Sequence, residues 1–327
     1  MNNRTCIFLS ILLLSSCQKL AAQAVPSEIE QIEYLVTFGK ESNWAWGDDD
    51  HVQTFFFIIP KTFTQPVYIR VYDPDTGGKH DEPNRTFNTK TKFSIYNGRG
   101  AHSHPDARKV DPVGNFRSGQ LASSKTFGNE AIYDQQWYTF GPFNPLEGEE
   151  SDKLGGYVFK MIAEGLEGND GNLYKYFLSV NPHNNKEVEG SNAFTYEYSF
   201  RLPESQRVIT HLYPFIDEDV ISITQHNFDF DKEGTIYIYS AATNHKAGLG
   251  SKNYEWADSE HQIKEEEKNS TMDIQITKHK YSRNDMAMYL INNYGDAIAF
   301  FSTPIGGPPK FKYKVDVNYH AKSKKGN

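Results

Sequence analysis

Val67-Tyr68-Ile69-Arg70-Val71-Tyr72-Asp73-Pro74-Asp75-Thr76-Gly77-Gly78 is the stretch on which the fold turns. Large apolar side chains alternate with others over its first six positions, the period of a half-buried strand. Asp73-Pro74-Asp75 and the two glycines then stop the strand with turn chemistry. The same unit recurs outward in both directions. Runs at 33–38, 53–59, 91–96, 136–140, 157–163, 174–180 and 193–200 read as strands. Pro60 stops the second of these, and Asn97-Gly98, a strong turn signal, ends the third.

A break at Leu202-Pro203-Glu204-Ser205 precedes a second series at 211–215, 220–226, 235–240, 271–276, 285–292, 297–301 and 311–317. No long helical pattern follows the N-terminal segment. The best candidate, 259–268, is mostly charged and has little apolar surface to bury. Short strands between turns predict an all-β protein built of antiparallel β-sandwiches. The expected layout is two jelly-roll-like sandwiches in tandem, at 25–202 and 203–320. A basic polar tail at 321–327 carries Lys322, Lys324 and Lys325. A single larger sandwich is the alternative.

The start of the chain is read separately. Arg4 is the only charge in the first eighteen residues, and Cys6-Ile7-Phe8-Leu9-Ser10-Ile11-Leu12-Leu13-Leu14 follows it. A positive residue before a short apolar run is the layout of a secretory signal. The run is about half of the roughly twenty residues that cross a bilayer. Cleavage after Ala22-Gln23-Ala24 would release residues 1–24. Leu14-Ser15-Ser16-Cys17 also resembles the lipobox of bacterial lipoproteins, which implies cleavage before Cys17 and acylation of that residue. An outer-membrane or cell-surface lipoprotein is expected, and a secreted or periplasmic protein is the alternative. Two acyl chains hold a protein on a membrane, whereas one does so only marginally. Cys6 and Cys17 are the chain's two cysteines, so cleavage at Cys17 leaves a body with no disulfide or thiolate site.

The formal charge of -8 argues against nucleic acid as a partner. A mean hydropathy of -0.65 excludes a multi-span membrane protein. Aromatic residues make up 14% of the chain, which suits pleated, half-buried strands.

Several clusters are candidates for chemistry. Asp48, Asp49 and Asp50 precede one strand, and Asp73, Asp75, Asp81 and Glu82 follow another. Carboxylates on a glycine-rich loop suit calcium, although aspartate and glycine are also common turn formers. The spacing departs from the full EF-hand pattern. Asp217-Glu218-Asp219 with Asp229, Asp231 and Glu233 forms a second acidic group, in which 231–234 suggests a hairpin turn. His102-Ser103-His104-Pro105-Asp106 is a zinc candidate that would need a further ligand from elsewhere, with a solvated histidine pair as the alternative. Trp44 and Trp46, two apart, are candidates to stack on a sugar ring, with core packing as the alternative. Trp137 suits the core, and Trp256 is the fourth indole. No nucleophile elbow, phosphate loop or nucleotide fingerprint is present.

Residues 67–78 with Phe93-Ser94-Ile95-Tyr96, Trp137-Tyr138-Thr139-Phe140-Gly141-Pro142-Phe143 and Asp170-Gly171-Asn172-Leu173-Tyr174 resemble β-sandwich modules of Bacteroidota envelope proteins, some fused to OmpA-like domains. A looser likeness is to the bacterial pre-peptidase C-terminal sandwich. The resemblance implies a sandwich fold and an envelope location, but no activity. The reading is a non-enzymatic, lipid-anchored envelope protein binding a glycan or partner protein, with calcium as a candidate structural ion. A secreted polysaccharide hydrolase and a structural subunit of an envelope assembly are the alternatives.

Overall fold

All strand pairings in the computed structural model are antiparallel, and it describes residues 24–43, 51–110, 116–231 and 233–312. The strands are β1 (Ala24–Val25), β2 (Tyr34–Phe38), β3 (Val52–Pro60), β4 (Val67–Tyr72), β5 (Lys90–Asn97), β6 (Gln120–Phe127), β7 (Trp137–Phe143) and β8 (Glu149–Ser151). They continue with β9 (Gly156–Glu167), β10 (Gly171–Ser179), β11 (Asn192–Thr195), β12 (Glu197–Arg201), β13 (Ile209–Leu212), β14 (Phe215–Ile216) and β15 (Ser222–Phe228). The last are β16 (Gly234–Tyr239), β17 (Lys246–Gly248), β18 (Trp256–Gln262), β19 (Ser270–Thr271), β20 (Asp273–Lys278), β21 (Asp285–Asn292) and β22 (Phe300–Phe301). Among the described residues, no helix is long and apolar enough to cross a membrane.

Two large sheets face each other. One has nine strands, ordered β18-β15-β21-β12-β2-β10-β4-β7 with β1 on β10. The other has seven, ordered β22-β11-β3-β9-β5-β6 with β8 on β9. A four-stranded sheet, β13-β20-β16-β17, packs beside them, and β14 pairs with β19. Alternation does the sorting. In β4, Val67, Ile69 and Val71 enter the core, where they meet Phe93 and Ile95 of β5 and Phe159 and Met161 of β9. Fully burying each such side chain contributes about 1.5–3 kcal/mol. The unbroken apolar run of β3 has a different cause. Phe55, Phe57 and Ile59 face the core, while Phe56 and Ile58 join a second cluster with Ala107, Val158, Phe194 and Phe301. Both faces of β3 are therefore covered, which removes the usual alternation.

The expected division at 203 is not marked by a break in the sheet. β12 pairs with β2 on one edge and with β21 on the other, from Glu197↔Tyr289 to Arg201↔Asp285. One core cluster runs from Ile69 and Tyr176 through Tyr198 and Phe200 to Met288, Ile238 and Ile274. The expected strand at 193–200 is two strands in different sheets, separated at Tyr196, so the chain crosses the sandwich there. The segment 259–268 holds the end of β18 and a short 3-10 turn, Glu265–Glu267. β6 and β18 escape the pattern because they are polar edge strands, whose charges blunt an otherwise open edge. Of the expected strand at 311–317, Phe311 and Lys312 are not in a strand, and the rest lies outside the described residues.

The segment leading into β2 is fixed by a buried acid. Glu30 is fully buried, with Oε1 accepting from the Tyr198 hydroxyl at 2.7 Å and Oε2 accepting from the Ser27 amide at 2.7 Å. Ser27 Oγ has one proton, which it gives to the Ser302 carbonyl at 2.6 Å. Its 3.1 Å contact with Glu30 Oε2 is therefore a hydrogen bond when the carboxyl itself carries a proton. Consistently, burial pushes the Glu30 carboxyl up to about 8. Its folded pKa lies above its unfolded one, so its contribution to stability is full below about pH 4.5 and is lost as pH rises through about 8. The rise from 4.5 to about 8 makes that loss on the order of 5 kcal/mol. Glu30→Gln should flatten the fall in melting temperature between pH 5 and pH 9; a variant with the native pH slope would show that Glu30 is not the titrating group.

Candidate functional site

The turn after β4 is the densest arrangement of polar groups among the sequence-derived candidates. The chain leaves β4 at Asp73, whose φ of 56° lies in the left-handed region that aspartate tolerates better than most residues. Asp73 N donates to the Gln136 carbonyl at 2.9 Å, and Thr76 N donates to Gly128 O at 3.0 Å. The 73–78 turn is thereby laced to the 128–136 turn that leads into β7. Gly78 is required at the crossing. Its φ is 75°, and a β-carbon there would come within 2.2 Å of Asp134 Oδ1. From the neighbouring strand β10, the Asn172 amide nitrogen donates to Pro74 O at 3.0 Å and to Thr76 Oγ1 at 3.2 Å.

The candidate calcium ligands separate within this frame. Asp73 and Asp75 are buried, with 0% and 1% exposure. One oxygen of each accepts a backbone N–H: Gln135 N to Asp73 Oδ1 at 2.7 Å and Glu130 N to Asp75 Oδ2 at 3.3 Å. The other oxygen of each, Asp73 Oδ2 and Asp75 Oδ1, is buried with no hydrogen-bond donor. Burial, with Asp134 nearby, pushes Asp73 up to about 6. Burial, with Asp73 and Asp134 adding repulsion, pushes Asp75 up to about 7.

Asp81 and Glu82, expected in the same ligand set, are engaged elsewhere. Asp81 accepts from Gly77 N at 2.6 Å and from Leu173 N at 2.7 Å, one on each oxygen. Glu82 Oε2 accepts from Arg201 at 3.0 Å. Asp134 and Asn172 were missed because neither stands in an acidic run; only the pairing of β4 with β7 and β10 brings them to the turn. Asp48, Asp49, Asp50, Trp44, Trp46 and Cys17 lie outside the described residues. Among the described residues, no three His, Cys, Asp or Glu side chains already form a group that could hold a metal ion.

The other candidates are occupied by structure. Asp229 and Asp231 are bridged by Asn253, whose amide nitrogen, turned toward them, donates at 3.1 and 3.0 Å. β15 and β16, on either side of the expected hairpin turn at 231–234, belong to different sheets and do not pair, so the two strands do not form a hairpin. His102 packs among Phe56, Phe194 and Tyr196, with Nε2 3.0 Å from the Tyr196 hydroxyl, and His104 Nδ1 accepts from Asp106 N. The two histidines are thus used separately. Trp137 is half-buried, with the Arg70 guanidinium 5.0 Å above its ring and Tyr72 at 5.3 Å.

A second feature lies on the outer face of the nine-stranded sheet. Cross-strand register sets Asp258, His226, Tyr289 and Glu197 in one row, with Trp256, Phe228 and Ala287 in the next row of that face. His226 stacks on Tyr289 at 4.6 Å and 21°, Trp256 lies 5.3 Å from Tyr289, and Phe228 lies 5.1 Å from Trp256. His226 Nδ1 is 2.7 Å from Asp258. Trp256 is 38% exposed, so the patch presents an indole to solvent beside exposed carboxylates at Asp258 and Glu260.

Arg201 links the acidic turn region to the later strands. Its guanidinium is bidentate to Asp285, at 2.7 and 2.6 Å, and also donates to His80 O at 3.1 Å. Arg201→Met leaves Asp285 and Glu82 without their shared cation, and should lower stability in urea by about 3–5 kcal/mol. A loss below about 1 kcal/mol would place the pair with ordinary surface bridges instead. Comparison with known proteins adds no assignment: no protein-family model and no curated protein sequence matches the chain.

Proposed function

We propose that the chain is a non-enzymatic, lipid-anchored protein of the bacterial cell envelope that binds a saccharide on the outer face of β18, β15 and β21. The observation that carries this reading is the aromatic patch of Trp256, Phe228, His226 and Tyr289 with its rim of carboxylates. An exposed indole offers a flat apolar surface to the C–H face of a sugar ring, and carboxylates accept from its hydroxyls. The acid rim and the net charge of -8 favour neutral over anionic saccharides. Asp73, on which a hydrolase reading would draw, is fully buried, which favours binding over cleavage. The anchor rests on Leu14-Ser15-Ser16-Cys17 behind the apolar run.

Affinity electrophoresis against a panel of neutral polysaccharides tests the saccharide reading. The native chain should be retarded by at least one of them. Trp256→Ala or Tyr289→Ala should weaken that binding about tenfold or more, equivalent to about 1.4 kcal/mol. Retardation that both variants keep, or none across the panel, would reduce the patch to cross-strand pairing. Cys17→Ala should move the protein from the membrane to the soluble envelope fraction and abolish acyl labelling; unchanged partitioning would remove the anchor.

A further inference from the structure

The turn after β4 holds more unanswered oxygen than a protein interior tolerates. Four side-chain oxygens there, Asp73 Oδ2, Asp75 Oδ1, Asp134 Oδ1 and Asn172 Oδ1, are buried with no hydrogen-bond donor. A buried polar atom left so keeps its desolvation cost unrepaid, and the cost is larger when the atom is charged. The four belong to one place. Asp134 lies against Gly78, Gln135 N holds Asp73, Glu130 N holds Asp75, and the Asn172 nitrogen is committed to Pro74 O and Thr76 Oγ1. With its nitrogen held there, Asn172 leaves its oxygen beside the same turn. Asn172 is 0% exposed and lies outside the acidic run, so it is an independent sign that the turn wants a positive partner. Nearby acids behave differently: Asp170 accepts from Asn84, Asn88 and Thr89 N, and Asp81 from Gly77 and Leu173 N.

We infer that this turn is a calcium site whose protein ligands are Asp73 Oδ2, Asp75 Oδ1, Asp134 Oδ1 and Asn172 Oδ1. All four are hard oxygen donors, three of them anionic, which suits calcium rather than a thiophilic or imidazole-seeking metal. Magnesium dehydrates reluctantly and keeps several waters, so a buried set of carboxylates and an amide favours the larger ion. The three carboxylates repel one another, and a divalent cation between them reverses that sign. Its consequence is mechanical: the ion ties the ends of β4, β7 and β10 together at one end of the sandwich. This inference is independent of the saccharide face, which lies on β18, β15 and β21.

The test is thermal melting of the purified chain with calcium chloride and then with chelator, together with terbium luminescence excited through tryptophan. Trp137 packs at a tilt against Tyr72, the neighbour of Asp73, and is placed to sensitise a bound lanthanide. At a hundredfold excess over its dissociation constant, calcium should raise the melting temperature by several degrees, and chelator should reverse the rise. Asp134→Asn, on a half-exposed turn where folding is least at risk, should reduce calcium affinity at least tenfold and abolish most terbium emission. Asp75→Asn should do the same. Asp231→Asn, in the second acidic turn, should leave both signals intact. A melting temperature and a terbium signal that do not respond to calcium would overturn the site. A calcium response lost in Asp231→Asn and kept in Asp134→Asn would place the ion elsewhere and overturn the assignment.

Discussion

Strand β12 is hydrogen-bonded on both edges, to β2 on one side and β21 on the other, and the rest of the architecture depends on that sharing. Because the ladder is continuous through this strand, strands on either side of residue 203 lie in one sheet. Their inward side chains must then fill one core. Tyr198 and Phe200 sit at the join, with Leu35 beside them in the sheet and Met286 and Met288 beyond. On the opposite face the same strand carries Arg201, almost fully buried, whose charge is met by Asp285 and Glu82. A guanidinium taken out of water demands such partners, and the pairing of Arg201 with Asp285 lies directly across the β12–β21 ladder.

The acids drawn into the fold divide by what meets them. Glu149 collects the amides of Gly100, His102 and Ser103, Asp170 collects those of Asn84, Asn88 and Thr89, and each thereby shapes a loop. Burial disfavours the Glu267 charge, but His261, Ser240 and the Lys264 amide hold its carboxyl down at about 2. These carboxylates substitute for secondary structure where the chain is irregular, since each satisfies backbone donors that would otherwise be orphaned. Asp73 and Asp75 are different, because one oxygen of each finds no donor. The contrast, and not acidity as such, separates the turn after β4 from the other acidic stretches.

The outer face near β18 shows how one strand can serve two ends. Its buried residue His261 joins the core-side cluster at Glu267, while Trp256, Asp258 and Glu260 face solvent. The polar alternation that hides this strand from a hydrophobic pattern is also what protects a sheet edge from unwanted pairing. The aromatic patch arises because β15 lies between β18 and β21, bringing residues distant in sequence into adjacent rows.

Much of the chain was legible in its local pattern. Alternation and turn residues are enough to read β4, β5 and β21 nearly to the residue, and the all-β antiparallel class follows, because side-chain periodicity and turn chemistry act within a few residues. The same locality explains why Asp73 and Asp75 could be singled out: they follow a strand directly. Everything that depends on which strands become neighbours was decided elsewhere. The apolar run of β3 does not say that both its faces are covered, and the run 193–200 does not say that it crosses between sheets. Asp134 and Asn172 gain their place beside Asp75 only because β7 and β10 flank β4. Strand order is set by burial summed over the whole core, a non-local quantity, so the tertiary structure alone selected the oxygens at the turn and the rings on the outer face.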